Sequence, residues 1–423
     1  MDFLQTRLAT YFVVLLSCAA MISSAAVLRA EERTAIEVRE PAGIRRFQYP
    51  VAFSFTLAEP VPRETRFRLL KDDQPAPAQF RAAEAGENVS QWWLDFPVNL
   101  LPYQAERYTV EYGRDVPEGP IPKRGHKLIQ TDEAYQVANE PYIAWSVPRD
   151  LKGLLSSVRS RELEYLRPES PGLLLTDREG SDHPLGGAIA SVIREGPLAV
   201  GLRFEAAQTD PALEGVRSVV DLVFPVFKSW VEVDWHIDDP RGKLAGVKAK
   251  LNMNLDEPTA QAPTLIDFGA TSLVYVSLRP GQETELRAVP IAADGGQKSD
   301  DASRYVWQVL RGSPDRLEPF VFGPKRSGVA ADVEGWVHVM DRGRCLALAV
   351  DRFGGGSEDR LSVSAEGSVE LDRRFPSDEA NAQPNAKRLR FWMHFVPFPP
   401  QHTAATSPQS MQTPIEVRVF RDE

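Results

Sequence analysis

Residues 217–255 read RSVVDLVFPVFKSWVEVDWHIDDPRGKLAGVKAKLNMNL. From Trp230 to Ile237 the side chains alternate without a break. Val231, Val233, Trp235 and Ile237 fall on one face, and Trp230, Glu232, Asp234 and His236 on the other. Such period-two alternation marks a strand with one face in a core. Asp238-Asp239-Pro240-Arg241-Gly242 is turn chemistry. Alternation then resumes, with Val247, Ala249, Leu251, Met253 and Leu255 against Lys248, Lys250, Asn252 and Asn254. The pattern predicts a long β-hairpin in a large antiparallel sheet, one face on a core and the other free to meet water or a ligand.

Working outward, the same short, alternating segments recur along all 423 residues, punctuated by 34 prolines. The prediction is an all-β protein: a small N-terminal β barrel or sandwich followed by a large antiparallel β super-sandwich. Residues 33–113 form the small β domain, with strands around Ile44–Phe55, Arg66–Leu70, Gln91–Phe96 and Tyr108–Gly113. Residues 114–126, which open with the Pro-, Gly- and charge-rich RDVPEGPIPKR, read as a linker. Residues 127–423 are assigned to the super-sandwich. Leu151, Leu154, Leu155, Val158, Glu162 and Leu166 fit a helical period, which predicts a short helix; Gly153 and Ser156-Ser157 count against it. Ala292 to Ser303, Phe375 to Ala386 and Pro399 to Pro414 read as polar loops.

Residues 1–30 read as a signal peptide or N-terminal anchor. The run from Leu8 to Leu28 is uncharged, and Ser24 and Ala26 supply a small-residue cleavage pattern. The protein is therefore expected to be exported: periplasmic, at the cell surface or extracellular. Contact with a membrane is expected only through that segment if it is retained. A net charge of −10 argues against bulk nucleic-acid binding. Of two cysteines, Cys18 lies in the export segment, so Cys345 has no partner for an intramolecular disulfide. Its strand context predicts a buried, inert thiol.

Several short motifs resemble the galactose-mutarotase-like super-sandwich family. They are Tyr142-Ile143-Ala144-Trp145-Ser146 with Gly153 to Val158, Glu195-Gly196-Pro197, and Trp230 to Trp235 with Asp238-Asp239-Pro240. The small domain, ending Leu101-Pro102-Tyr103 and Tyr108 to Gly113, resembles the N-terminal barrel of exo-rhamnogalacturonan-lyase-like proteins. The resemblance implies a carbohydrate-associated protein. Those lyases also carry a helical toroid, which this sequence lacks, and the mutarotases' catalytic His and Glu motifs are not matched. No catalytic residue is carried over.

The chemistry candidates come from strand faces. Glu232, Asp234 and His236 lie about 7 Å apart in succession, a spacing that suits an acid–base pair or metal ligands and equally a solvated strand face. Trp230 on the same face suggests a sugar-stacking surface. Trp336 with His338, and Trp392 with His394, share strand faces and are candidates for a groove or for core packing. Lys248, Lys250, Asn252 and Asn254 are placed across from the acidic face, where ion pairing explains them without a ligand. His183 lies in a loop as a base or a turn residue.

No phosphate loop, G-x-S-x-G, H-E-x-x-H or C-x-x-C motif is present. No cofactor or metal is expected. The leading expectation is glycan binding on the super-sandwich face through Trp230, Lys250, Asn252, Trp336, Trp392 and His394. The first alternative is a polysaccharide-active lyase or glycosidase, drawing on His236, Glu232, Asp234, His338 and Arg203. The second is a non-catalytic cell-envelope structural protein.

Overall fold

The computed structural model describes residues 32–290, 305–322, 333–354, 358–375, 386–397 and 408–420. The expected export segment, the loop Ala292 to Ser303 and most of Phe375 to Ala386 lie outside them. The regular structure of the described chain is strand, joined in antiparallel sheets as the alternation predicts, with only the short helical turns Pro211–Leu213 and Pro408–Gln412 besides.

The opening stretch keeps its faces but not its partners. Arg217–Pro225 pairs with Trp230–Asp238, Val220 opposite Trp235. Leu244–Asn252 does not pair with Trp230–Asp238. It lies in a second sheet, between Gly172–Asp177 and Ser368–Arg374. The predicted hairpin is instead a corner that carries the chain from one sheet to the other. Asp239 fixes it: its buried carboxylate accepts the N–H groups of Lys243 (2.9 Å) and Leu244 (3.1 Å) and pairs with Lys387. Val231, Val233 and Trp235 therefore face the same core as Val247, Ala249 and Leu251, but from opposite layers.

The first layer has nine strands. In spatial order they are Ile189–Arg194, Ala199–Ala207, Arg217–Pro225, Trp230–Asp238, Ala386–Pro397, Arg344–Val350, Trp336–Met340, Thr264–Gly269 and Leu273–Leu278. The second has eight, with Leu244–Asn252, Ser368–Arg374 and Glu358–Ser364 at its centre. A five-stranded sheet spanning Lys127–Gln130 to Leu163–Glu164 adds Trp145 and Val158 to their common core. Trp235, Phe224, Phe268, Phe391 and Phe395 fill the middle. A buried pair, Arg373 to Asp359 (2.8 and 2.9 Å), is also held by the carbonyls of Asp351 and Arg388. Cys345 is buried, and burial raises its thiol pKa.

The helix expected between Leu151 and Leu166 is absent. Leu151 and Leu154 take left-handed turns (φ 59° each), after which Ser157–Ser160 enters the five-stranded sheet. The leucines that mimic a helical period all reach the core, but Leu151, Leu154 and Leu155 do so from successive tight turns and Leu166 from a bridge to Met253. Gly153 (φ 86°) permits those turns: a Cβ there would stand 2.8 Å from the Ser170 carbonyl oxygen.

The small unit is a sandwich around Phe55, Phe67, Trp92, Phe96 and Tyr108. One sheet contains Arg46–Pro62, Asn88–Leu100 and Gln79–Ala82. The other is completed by the last described strand, Glu416–Phe420, which returns from the far end of the chain to pair with Glu32–Arg39. Glu416–Phe420, within the stretch 127–423 assigned to the super-sandwich, thus pairs with the small unit. Between Gly113 and Lys127 there is no strand or helix.

Candidate functional site: a cleft over the nine-stranded sheet

The outer face of the nine-stranded sheet carries side chains in register across its strands. Glu232 stands opposite Trp392, Trp392 opposite Ala349, Ala349 opposite Trp336, and Trp336 opposite Gly269. In the next row Trp230, His394, Ala347, His338 and Asp267 succeed one another. Trp230, Trp336, Trp392, His338 and His394 therefore converge on one patch, because the strands are paired in this order, whereas His236 lies further along its strand, opposite Arg388, and does not join them.

That patch is covered, which corrects the expectation of open stacking surfaces. Trp230, Trp392 and Trp336 are only 3%, 4% and 8% exposed. Tyr49 of the small unit meets Trp230 edge-on at 6.0 Å, and Met411 of the short helix Pro408–Gln412 packs into the cluster. Gln412 anchors that helix by donating to the carbonyls of Glu334 (2.6 Å) and Val350 (2.7 Å). Trp336 donates to the Glu334 carboxylate at 2.6 Å. His394 is buried against Trp230, and burial, with Lys228 and His338 adding, holds its pKa down to about 3. His338 stays near Asp267 (3.6 Å).

Glu232 and Asp234 on Trp230–Asp238 are paired within their own sheet. Arg390 donates to Glu232 at 2.9 Å, and Trp392 donates to the same carboxylate at 3.3 Å. Arg388 grips Asp234 with two bonds of 2.7 and 2.6 Å. Burial alone would raise Asp234, but the Arg388 fork and then His236 outweigh it and hold the carboxyl below its ordinary value. His236 lies 3.1 Å from Asp234 and is half exposed. Arg203 grips Asp221 at 2.8 Å through two nitrogens.

Lys250 and Asn252 do not join this face. They lie on the outer side of the other sheet, where Lys250 pairs with Glu370 (3.1 Å) and Lys248 with Asp182 (2.6 Å). Their expected place opposite Glu232 and Asp234 fails because the hairpin it assumed is a crossover. His183 is held in a short strand, Asp182–Pro184, between Asp177 (2.7 Å) and Asp210 (3.0 Å).

Beside the covered tryptophans the two units leave a cleft of about 580 Å³. Its sheet wall presents Glu232, Arg388, Arg390, Asp351 and Arg352. Its other wall comes from the small unit, with Trp93 and Asp95, and from Arg194 on the sheet's edge strand. Arg194 donates to Asp95 at 3.0 Å. Both Arg194 (5.0 Å) and Arg81 (4.9 Å) lie over the Trp93 ring. Burial raises the Asp95 carboxyl despite the two arginines, and the same burial, with Arg194 adding, lowers Arg81 to about 10. Among the described residues no cluster of three or more His, Cys, Asp or Glu side chains is placed to hold a metal.

The sequence reading missed Trp93, Asp95, Arg194 and Arg352. A usable signal existed for two of them. In Gln91-Trp92-Trp93-Leu94-Asp95-Phe96, Trp92, Leu94 and Phe96 point into the core, so Trp93 and Asp95 share the opposite face.

No family model matches this sequence, and no curated protein matches it. Among solved structures, a protein in glycosyl hydrolase family 38 from Enterococcus faecalis aligns over 92% of this chain at 9% identity, with a TM-score of 0.55. What is shared is the fold. This chain spans about half the length of that protein, 47%. A putative aldose 1-epimerase from Klebsiella pneumoniae aligns over 86% of this chain and 96% of its own, at 9% identity and a TM-score of 0.38. A galactose mutarotase-like protein from Clostridium acetobutylicum aligns over 65% and 99%, at 8% identity and 0.36. At those two scores the likeness carries no argument. The resemblance of the small unit to a lyase barrel rests on its residues alone.

Proposed function

We propose that the protein is an exported, carbohydrate-associated protein that binds a saccharide in the cleft between the small unit and the nine-stranded sheet. The observation that carries this reading is the pairing of an indole with fixed polar groups on facing walls. Trp93 is half-buried, and Glu232, Arg390, Arg388 and Arg194 are each locked by a partner. A sugar ring sets its hydroxyls on carboxylates and guanidinium groups that are already oriented, with the Trp93 indole, already met by Arg81 and Arg194, closing the wall beside it. Pre-oriented groups lose little freedom on binding. The volume, about 580 Å³, suits one or a few sugar rings. The fold likeness to a glycosyl hydrolase family 38 protein is in keeping with this reading.

The test is a glycan array followed by calorimetry on the full chain. Binding is expected to fall about tenfold or more in Trp93→Ala and in Glu232→Gln, each with an unchanged fold. Correctly folded protein that binds no glycan on a broad array would sink the proposal.

A second reading, a glycoside-cleaving enzyme, is favoured by one observation. Asp95 lines the cleft and is raised by burial, as a proton donor needs to be. Glu232 lines the other wall. Hydrolysis of aryl glycosides that disappears in Asp95→Asn, with saccharide binding retained, would select this reading over binding alone.

A further inference from the structure

A second recess lies where the small unit, the connecting segment and the large unit meet. It encloses about 880 Å³ and shares no lining residue with the cleft beside the tryptophans. Three aromatic rings open onto it: Phe47 (62% exposed), Tyr142 (43%) and Phe227 (40%). Arg124 stacks on Tyr142 at 5.0 Å.

Two of these rings are presented by unusual backbone. Phe227 takes a left-handed conformation (φ 62°) in the turn before Trp230–Asp238, and Gln48, next to Phe47, does the same (φ 46°). Non-glycine residues rarely adopt that region, and such strain concentrates at functional positions. Here it holds an exposed ring outward, with no gain to the core.

Lys228 follows Phe227 and lines the same recess. The residue is only 8% exposed. Its ammonium donates to the Phe47 carbonyl (2.8 Å) and lies 5.3 Å from the centre of the Trp230 ring. Among the described residues no carboxylate pairs with it. Burial, with Arg46 adding, lowers it to about 8. A buried cation without a counter-ion is costly unless something completes it. The recess as a whole is cationic: Arg124, Arg161 and Lys228 face a single acid, Glu162. That excess stands out in a chain of net charge −10.

We propose that this recess binds a small ring compound bearing a carboxylate, its face against Phe47, Tyr142 and Phe227 and its anionic group on Lys228. The aromatic rings give up their contact with water to the ring of the ligand. The carboxylate supplies the counter-ion that Lys228 lacks, through a charge-assisted hydrogen bond. The inference stands apart from saccharide binding in the cleft, and either can fail alone.

The anion favours the charged form of the lysine, so above pH 8 the complex takes up a proton that the free protein does not hold. Calorimetry of the full chain at pH 8.5, in two buffers of different ionisation enthalpy, reads this directly. The probes are D-glucuronate and benzoate, which separate a sugar ring from an aromatic one, with D-glucose as the neutral control. At least one carboxylate is expected to bind with proton uptake that survives Trp93→Ala, while any glucose binding, which belongs to the cleft, shows no uptake and is unchanged in Lys228→Met. Lys228→Met is expected to weaken binding about tenfold or more and abolish the uptake.

Phe227→Gly guards against misfolding of that variant. It relieves the strained turn, so its melting temperature is expected to hold or rise while binding weakens and proton uptake persists. Failure of both carboxylates to bind, carboxylate binding without proton uptake, or unchanged binding and uptake in Lys228→Met would overturn the proposal.

Discussion

The carboxylate of Asp239 is buried beneath the corner that joins the two large sheets, and Lys387, from the strand beside Trp230–Asp238, closes over it. Two backbone N–H groups of the corner share the same carboxylate. Burial works to raise the pKa of Asp239, but Lys387 and the N–H donors of Leu244 and Lys243 outweigh it, and the group is lowered. A lowered carboxyl contributes stability that is present above its unfolded pKa, about 3.9, and is lost as pH falls through the folded value. Asp239→Ala leaves the corner N–H groups and Lys387 without their acceptor. The expected loss is about 2–3 kcal/mol in chemical denaturation at pH 7, shrinking towards pH 3. A loss that is the same at both pH values would show that the charge does not hold the corner.

The same corner marks the limit of what the sequence discloses. The alternation places Val231, Val233, Trp235, Val247 and Ala249 in the core correctly, because burial on one face leaves a period-two trace. It does not distinguish a hairpin from a crossover, since both need two amphipathic strands and a polar turn. The covered tryptophans have a similar cause. Tyr49 and Met411 come from distant parts of the chain, and nothing local to Trp230 announces them. A weaker signal was present in Arg344–Val350, where Cys345, Ala347 and Ala349 are apolar on the face opposite Leu346 and Leu348. A strand apolar on both sides is covered on both sides.

Gly269 is required by the indole that lies over it. A Cβ at that position would stand 2.0 Å from Trp336 Nε1, far inside contact distance. Gly269→Ala must displace the indole and break its bond to Glu334. The expected cost is about 1–3 kcal/mol, from overpacking. Thermal melts would report the loss, and a shift in tryptophan emission would report the movement. A variant as stable as the parent would show that Trp336 moves aside freely.

Arg46 locks the cover over the tryptophan patch. It is buried in the small unit and donates to the carbonyls of Ser410 (2.6 Å) and Thr413 (2.8 Å), on either side of Met411, while pairing with Glu40 at 3.1 Å. Arg46→Ala removes all of these donors and leaves the Glu40 carboxylate without its arginine. The expected cost is about 3 kcal/mol or more. The more specific outcome is local: Pro408–Gln412 should loosen before the sheets do. Acrylamide quenching of tryptophan fluorescence should therefore rise at temperatures where far-ultraviolet circular dichroism is unchanged. Quenching that rises only with global melting would mean that Arg46 does not hold the cover.

His183 ties the two large sheets together at one end. Its Nε2 meets Asp177, on Gly172–Asp177 of the eight-stranded sheet. Its Nδ1 meets Asp210, in the connection between two strands of the nine-stranded sheet. The hydrogen bond to Asp177 raises its pKa, burial opposes the shift, and Asp210 adds to it. A raised histidine contributes stability that is fully present below its unfolded pKa, about 6.5, and is lost as pH rises through the folded value. The clasp should therefore weaken under alkaline conditions. The midpoint of urea unfolding is expected to be higher at pH 6 than at pH 8.5, and His183→Gln should flatten that difference while barely altering the value at pH 8.5. Asp210→Asn should act in the same direction with a smaller effect, because Asp210 is more exposed than Asp177 and its charge is better screened by water. If His183→Gln leaves the pH dependence intact, the two carboxylates hold a neutral imidazole and the clasp carries no charge.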